Sequence, residues 1–260
     1  MELSCVLYET GDGVATVTLN RPERRNAMST QLLGELLTAL GAAKDDPEVR
    51  VVILTGAGDK AFCAGADLGG IATGAGPIQL HEERREFVKV FQLATRLGKP
   101  LIGCINGHAL AGGFGLALSC DLLVAADTAT FGTPEINVGL WPMMIMAIIG
   151  RNLPRKRAME LYMTGERIDA QTALSWGLVN RVVPLAEVRQ TARDLALRLT
   201  EKSPLLMRLG RDAFFAIDDL DFESALTVLH SQLTVLTLSD DAAEGTRAFM
   251  EKRAPKFTGR

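Results

Sequence analysis

The sequence lacks any apolar run long enough to cross a membrane as a helix. Its longest apolar run covers residues 136–150 and contains Asn137 and Pro142, whereas a membrane-spanning helix needs ~20 apolar residues. The first residues alternate between polar and apolar types, as a β-strand does, and show neither the basic segment nor the apolar core of a secretory signal. We therefore expect a soluble, cytoplasmic protein without a membrane partner.

Cysteine and histidine are too few and too scattered for a disulfide framework or a zinc site. The chain has 4 cysteines and 3 histidines, and it contains neither a CxxC pair nor a calcium-binding loop motif. The cysteines are Cys5, Cys63, Cys104 and Cys120. Because they lie in apolar stretches, we expect reduced, buried or semi-buried thiols in a reducing compartment, and no metal ion.

An excess of positive charge is also missing. Lys and Arg number 28 against 31 Asp and Glu, which gives a net charge of −3 and argues against nucleic acid as a partner. Short basic clusters at 21–25 and 155–157 are typical of a solvated face, although such a cluster could also meet the phosphates of a ligand. The glycine-rich segments at 56–58 and 112–115 match neither the dinucleotide-binding fingerprint nor a phosphate loop with its lysine.

Strand and helix patterns alternate over the first half of the chain. Apolar stretches flank a Gly-Asp-Gly turn at residues 11–13 and predict a β-hairpin, and Ser29 is placed to cap a helix that continues to residue 44. The further predicted strands are residues 49–56, 100–107 and 121–127, and the predicted helices between them are residues 79–97 and 112–120. This alternation indicates an α/β fold with largely parallel strands.

The second half of the chain has a mainly helical pattern. From about residue 142 onward the apolar spacing predicts helices, interrupted by a turn and a short strand over residues 174–184. Residues 201–260 are predicted to be helical throughout. We divide the chain into a catalytic core, residues 1–200, and a C-terminal helical region, residues 201–260.

Two glycine-rich segments carry the clearest chemical signal. Residues 61–70 are AFCAGADLGG, and residues 109–121 are ALAGGFGLALSCD. A glycine-rich turn that begins a helix presents backbone N–H groups without partners. Two such groups converging on one oxygen would form an oxyanion hole, but their spacing alone does not show convergence.

These segments, with FGTPEINVG at 131–139, resemble the active-site signatures of the enoyl-CoA hydratase/isomerase (crotonase) family. The resemblance extends over nearly the whole chain and includes the matching segments 21–29, 153–184 and 244–260. It implies a spiral of ββα units followed by C-terminal helices that build homotrimers, which often pair into homohexamers. It also implies an acyl-CoA thioester as substrate, so coenzyme A enters with the substrate and no separate cofactor is needed.

The resemblance assigns roles to individual residues. The N–H groups of Ala66 and Gly112 would hold the thioester oxygen, and Glu135 would be the catalytic acid/base. The residues implied to contact the substrate or its CoA are Arg24, Ala27, Ala64, Ala66, Asp67, Leu68, Gly112, Gly113, Phe249 and Lys252, the last two on CoA bound to a neighbouring subunit. Gly69 stands where many members have a lysine, so one CoA contact is missing.

Two acids decide the reaction in this family, and this chain has one of them. Family hydratases hold the attacking water between two glutamates, whereas the first position here is Gly115. Glu135 lies in TPEIN beside an apolar run, and apolar surroundings would raise its pKa toward the working pH. If the site is otherwise built like that of a hydratase, we expect Gly115→Glu to raise hydratase activity.

We predict isomerisation of 3-enoyl-CoA to 2-enoyl-CoA, because one acid/base suffices for it. The alternatives are a 2-enoyl-CoA hydratase of fatty acid β-oxidation, another crotonase reaction such as hydrolysis or decarboxylation, and a catalytically silent CoA-ester binder. An acid from residues 82–86 could also replace the missing one. In this family the region of residues 143–146, which is rich in methionine, lines the acyl pocket, where flexible methionines could accept varied acyl chains.

Other polar residues in these motifs are interpreted as structural. Asp67 is expected to shape its loop through hydrogen bonds to the backbone, and Asp121 to hold the start of its strand. His108, which follows the turn after a strand, is expected to have a structural rather than a catalytic role.

Overall fold

A tight two-residue turn forms the first hairpin of the protein. In the computed structural model, which describes residues 3–67, 69 and 76–260, strands β1 (Val6–Gly11) and β2 (Val14–Leu19) pair antiparallel. Asp12 and Gly13 between them both have left-handed backbone, with φ of 55° and 74°. Two such residues make a turn whose twist matches that of the strands, so the predicted hairpin is confirmed.

The described residues contain strands in both halves of the chain. The remaining strands are β3 (Val51–Gly56), β4 (Ala61–Cys63), β5 (Leu101–Ile105), β6 (His108–Leu110), β7 (Leu122–Ala126), β8 (Thr130–Gly132), β9 (Arg167–Asp169) and β10 (Arg181–Val183). The helices are α1 (Thr30–Asp45), α2 (Pro77–Thr95), α3 (Gly112–Leu118), α4 (Met146–Asn152), α5 (Arg155–Thr164), α6 (Ala170–Ser175), α7 (Val188–Thr200), α8 (Pro204–Ala216), α9 (Phe222–Thr237) and α10 (Asp240–Met250). Short 3-10 helices cover Pro22–Arg24, Pro134–Val138 and Leu185–Glu187.

A six-stranded sheet forms the main layer, in the order β1-β2-β3-β5-β7-β10. All neighbours after β2 are parallel. Every residue of β3 and β5 is buried, as expected for strands covered on both faces. The predicted strands over 49–56, 100–107 and 121–127 are confirmed, and the predicted helix after Ser29 begins with the Ser29 side chain accepting a hydrogen bond from the Leu32 N–H.

A second, smaller sheet has the order β4-β6-β8-β9. Each of its strands has 3 residues, which is too short to show an alternating pattern in sequence. The β4–β6 and β6–β8 pairs are parallel, whereas β8 and β9 are antiparallel. The sequence patterns therefore did not predict this sheet.

The C-terminal helices are attached to the core through Arg211 of α8. Its buried guanidinium donates to Asp121 Oδ2 at 2.8 Å and to the carbonyl of Thr95 at 2.9 Å. Asp121 Oδ2 also accepts the Leu101 N–H at 2.7 Å. Asp121 thus fixes the start of β5 as well as its own strand, β7, and it links both to α8.

The prediction of helix throughout 201–260 is wrong at its end. Helix α10 stops at Met250, and Lys252 just beyond it has φ of 53°, which a helix does not accommodate. The tail after α10 is held by Asp241, which accepts from the N–H groups of Thr258 at 2.7 Å and Gly259 at 2.9 Å. The division at residue 200 stays a prediction.

Membrane insertion as a helix finds no support in the part of the chain that the structure describes. There, none of the helices combines the length and the apolar character that a membrane span requires.

Candidate active site

The three candidate segments meet because β4, β6 and β8 are parallel neighbours. β4 ends at Cys63, just before Ala66, and β6 ends at Leu110, just before Gly112. β8 ends at Gly132, and Glu135 follows on the next turn. Since the carboxyl ends of adjacent parallel strands lie at one edge, the topology brings these residues together.

Two backbone amides lie close to each other at this edge. A methyl group added at Gly112 would lie 3.8 Å from the nitrogen of Ala66, and one added at Gly65 would lie 3.3 Å from the nitrogen of Gly112. Among the described residues, neither N–H donates to a backbone carbonyl, although the Met28 N–H beside them donates to Gly65 at 2.8 Å. Both donors are therefore left without a backbone acceptor, and their convergence on one oxygen, which the resemblance implies, stays a prediction.

A strained residue aims the second donor. Ala111, directly before α3, has φ of 52° and ψ of −131°, a region that residues with a side chain rarely adopt and that costs about 1–3 kcal/mol. Its own N–H donates to the carbonyl of Gly132 at 2.9 Å, which fixes the start of α3 to the end of β8. The strain is thus located where the backbone turns to present the Gly112 N–H.

Gly113 permits the close approach of α3 to β4. A methyl group at Gly113 would lie 2.7 Å from the carbonyl carbon of Cys63 and 2.8 Å from its Cβ, closer than packed atoms approach. The structure therefore gives Gly113 a packing role in the site, and its predicted contact with the substrate stays a prediction.

Glu135 has one buried carboxylate oxygen without a partner. It lies in the 3-10 helix Pro134–Val138, and its Oε2 has no hydrogen bond to any described residue. Burial raises the pKa of Glu135 above its ordinary value of 4.5, as predicted from the sequence. Its own backbone N–H is the one donor that acts against this rise, so Oε2 is left free to exchange a proton with a ligand.

The space beside Gly115 is filled by an apolar side chain. A methyl group at Gly115 would lie 2.8 Å from Cβ of Ile145 and 3.5 Å from Cζ of Phe91. Ile145 is 4 % exposed. A glutamate at position 115 has no room as the site stands. The prediction that Gly115→Glu raises hydratase activity required a site otherwise built like that of a hydratase, and the structure does not meet this condition.

The acids of α2 do not replace the missing glutamate. The α2 side chains nearest to the glycines of α3 are Phe87, at 3.5 Å from the methyl position of Gly112, and Phe91. The carboxylates at residues 82, 83 and 86 have neighbours along α2 as their partners: Arg85, Gln79 and Lys89, respectively. Helix α2 therefore supplies an aromatic surface to the site.

An ion pair shapes the loop that carries Ala66. Arg21 Nη1 lies 2.9 Å from Asp67 Oδ2 and donates to the carbonyl of Ala27 at 2.7 Å, and Asp67 Oδ1 accepts the Gly69 N–H at 3.1 Å. The hydrogen bond from Arg21 lowers the pKa of Asp67. The predicted loop-shaping role of Asp67 is confirmed, whereas sequence reasoning treated Arg21 only as part of a basic cluster.

Buried Asn26 connects the two loops that the resemblance places near CoA. Its Nδ2 donates to the carbonyls of Ala57 at 3.0 Å and Ala61 at 2.8 Å, and the Ala64 N–H donates to the carbonyl of Arg25 at 3.0 Å. The structure thereby gathers the predicted residues Arg24, Ala27, Ala64, Ala66 and Asp67 around adjoining loops. Leu68 lies outside the described residues.

Two predicted residues are separate from these loops. Phe249, near the end of α10, is 82 % exposed, and Lys252 lies exposed in the tail that follows. Within the described ranges neither side chain makes a hydrogen bond or ion pair to the site.

His108 and the cysteines are structural. His108 Nδ1 lies 2.8 Å from Thr130 Oγ1, which agrees with the predicted structural role. All four cysteines are free, and burial raises the pKa of Cys63 near the site to about 12, so it remains a thiol rather than a nucleophile.

Replacing Asp67 by Asn should lower the free energy of unfolding at neutral pH by up to ~1 kcal/mol, the range of a partly exposed ion pair. Because the pKa of Asp67 is lowered, its contribution is present above the ordinary pKa of 3.8 and is lost as the pH falls below it. Urea unfolding at neutral and acidic pH measures this difference.

The control for this variant is Asp12→Asn. Asp12 pairs with Arg193 at 2.7 Å but is 78 % exposed, so its replacement should change stability little. A loss for Asp67→Asn that persists unchanged in acid would contradict the role of the ion pair.

The chain is similar to known proteins over nearly its whole length. A family model described as "Enoyl-CoA hydratase/isomerase" matches residues 9–260. The chain is 36% identical over 246 residues to a "Putative enoyl-CoA hydratase" of Thermus thermophilus, covering 94% of this chain and 97% of that protein. It is 36% identical over 256 residues to the "Carnitinyl-CoA dehydratase" of Proteus mirabilis, covering 96% of this chain and 97% of that protein. A crystal structure of enoyl-CoA hydratase from Mycobacterium smegmatis matches with a TM-score of 0.94 at 34% identity, covering 98% of this chain and 99% of that structure.

Proposed function

The chain belongs to the enoyl-CoA hydratase/isomerase family, and from this membership we propose that it isomerises 3-enoyl-CoA to 2-enoyl-CoA with Glu135 as its single acid/base. The family and the crotonase fold predicted from the sequence are confirmed. The observation that carries the choice of reaction is the pair Glu135 and Gly115: one carboxylate is present with its Oε2 unpaired, and the place of the other is closed by Ile145.

The first step of the proposed reaction is stabilised by the two amides. The N–H groups of Ala66 and Gly112 donate to the thioester oxygen and stabilise the negative charge that develops when the α-proton leaves. One such donor is typically worth about 3–4 kcal/mol in the transition state. Their proximity in the structure and their lack of backbone partners support this role.

Glu135 then moves a single proton. Its carboxylate takes a proton from the α-carbon, the electrons of that C–H bond delocalise over the thioester as a dienolate, and the same proton returns to the γ-carbon. The double bond moves from the 3- to the 2-position, and atoms and charge balance without water or a co-reactant. A raised pKa suits this group because it both accepts and donates the proton near working pH.

Hydration is the second candidate, favoured by the names of the relatives. The similar proteins of Thermus thermophilus and Mycobacterium smegmatis are named as hydratases, and that of Proteus mirabilis as a dehydratase. Hydration needs a water held and activated beside the double bond. Gly115 has no side chain for that purpose, and the closed space beside it supports isomerisation instead.

The remaining contacts with the substrate belong to the same proposal. Arg24, Ala27, Ala64, Asp67 and Leu68 would lie along CoA, with the positive charge of Arg24 near its phosphates. Phe249 and Lys252 would reach CoA in a neighbouring subunit of a homotrimer or homohexamer. Apolar side chains exposed on α8, on α9 and just after α9 support this assembly: Phe214, Phe222, Leu226, Leu233 and Leu238. No cofactor other than the CoA of the substrate is proposed, and the cytoplasm is the proposed location.

The pH dependence of kcat/KM should report one group. Because Glu135 must be ionised to take the α-proton and its pKa is raised by burial, the rate should fall on the acid side with a slope of one, beginning above the ordinary value of 4.5. Steady-state rates across the acid range provide the measurement. A slope of two, or full activity down to that ordinary pKa, would contradict a single buried acid.

Deuterium exchange separates this proposal from a silent CoA-ester binder. In D2O, an enolate-forming enzyme should exchange the α-hydrogens of a saturated acyl-CoA that cannot complete the reaction, and mass spectrometry detects this. Binding without exchange would overturn the proposed enzyme function.

A further inference from the structure

We propose that Ile145 determines the reaction specificity of this site, because its side chain excludes from the face of α3 the water that hydration requires. This inference rests on the proposed function, since it explains why the enolate formed here would receive a proton but no hydroxyl group.

The two glycines of α3 present one continuous surface. Gly112 and Gly115 are three residues apart on a helix and so share a face. Phe87 and Phe91, four residues apart on α2, lie opposite them, each 3.5 Å from the methyl position of one glycine. The face that begins with the proposed oxyanion donor is therefore covered by aromatic rings on the side of α2.

Ile145 fills the space directly beside Gly115 on this surface. It is the residue before α4, and its carbonyl accepts the Ile149 N–H at 2.9 Å, so its position is fixed by the start of a helix. The preceding Met143 and Met144 are exposed, whereas Ile145 is buried. The chain thus turns a single side chain into the space that glycine leaves at position 115.

The consequence is a lack of partners for water. A bound water in a protein interior needs about two to four hydrogen-bond partners. The side chains nearest to the methyl position of Gly115, those of Ile145 and Phe91, provide none. Gly115 and Ile145 therefore act as a complementary pair, in which the small residue makes room and the large one keeps water out.

A set of variants tests this pair. The double variant Ile145→Ala/Gly115→Glu opens the space and places a carboxylate there, and we expect its ratio of hydration to isomerisation to rise at least ~10-fold over the unmodified protein. That gain is below the ~10²–10⁴-fold that a well-placed acid or base contributes. Gly115→Glu alone should fold less stably, because the new side chain overlaps Ile145, and should not show the gain.

Ile149→Ala is the matched control, because Ile149 is a fully buried isoleucine of the neighbouring helix turn. It should lose stability without a change in the ratio. Thermal melts identify the variants that remain folded, and Ile145→Ala alone keeps the test valid where the double variant unfolds, because the opened space should already raise the ratio.

The result that overturns the inference is a folded Ile145→Ala or double variant with an unchanged ratio. Failure of the proposed function is a separate result, since it is seen in the unmodified protein as a lack of isomerisation. A ratio that rises in the Ile149→Ala control as much as in the Ile145 variants would also overturn it, because it would show a general effect of cavities.

Discussion

Replacing Glu135 by Gln should lower kcat for the isomerisation of 3-enoyl-CoA by about 10³- to 10⁴-fold, the upper part of the range for acid–base catalysis. The loss is large because none of the acids on α2 replaces it and Gly115 has no side chain. KM should change little, since the two amides and the loops near CoA are untouched. Steady-state kinetics of the purified variant provide the measurement, and retention of more than a tenth of kcat would contradict the role of Glu135.

The same variant has a second expected signature, in stability. A carboxyl whose pKa is raised by folding binds its proton more tightly in the folded protein. Its contribution to stability is therefore present in acid and lost as the pH rises through the folded pKa. The free energy of unfolding of Glu135→Gln, relative to the unmodified protein, should increase from about pH 4 to about pH 8. Urea unfolding at both pH values checks this, and a difference that is constant with pH would show that Glu135 is not held in an unfavourable ionised state.

Replacing Gly113 by Ala should damage both stability and activity. The new methyl group would lie 2.7 Å and 2.8 Å from two atoms of Cys63, and the backbone of β4 cannot yield as a flexible side chain does. We expect a loss of about 3 kcal/mol or more in the free energy of unfolding. Since β4 leads to Ala66 and Gly113 follows Gly112, the two amides should move apart, and kcat should fall by about 10²-fold or more. Urea unfolding and steady-state assays measure both effects.

Gly34→Ala is the control for that variant. Gly34 lies within α1, and a methyl group there meets no atom within 4 Å, so alanine should stabilise the helix by up to ~1 kcal/mol. Stability and activity of Gly113→Ala equal to those of the control would contradict the close packing of α3 on β4.

The parts of the fold that the sequence predicted are those with a strong local signal. The strands β3, β5 and β7 are continuous apolar runs, and the first hairpin has a turn in which Asp12 and Gly13 suit left-handed backbone. The second sheet has strands of three residues whose pairing depends on distant parts of the chain. A pattern of local spacing does not contain that information.

In the site as well, the sequence predicted the residues with a local signal but not the contacts between distant parts of the chain. Ala66, Gly112 and Glu135 were identified because a motif surrounds each of them, and their proximity follows from β4, β6 and β8 being neighbours. The contact of Ile145 with Gly115, thirty residues away, and the ion pair of Arg21 with Asp67 arise only in three dimensions. They could not be predicted from sequence spacing, although both shape the site.

The most direct test of a single-acid isomerase is a side-by-side assay of the purified protein on 3-enoyl-CoA and 2-enoyl-CoA of the same chain length. With Glu135 as the only acid/base, the protein should convert the 3-enoyl to the 2-enoyl thioester and hydrate the 2-enoyl thioester at a rate at least ~10²-fold lower, the contribution of one missing acid. Rapid hydration of 2-enoyl-CoA without conversion of 3-enoyl-CoA would contradict it.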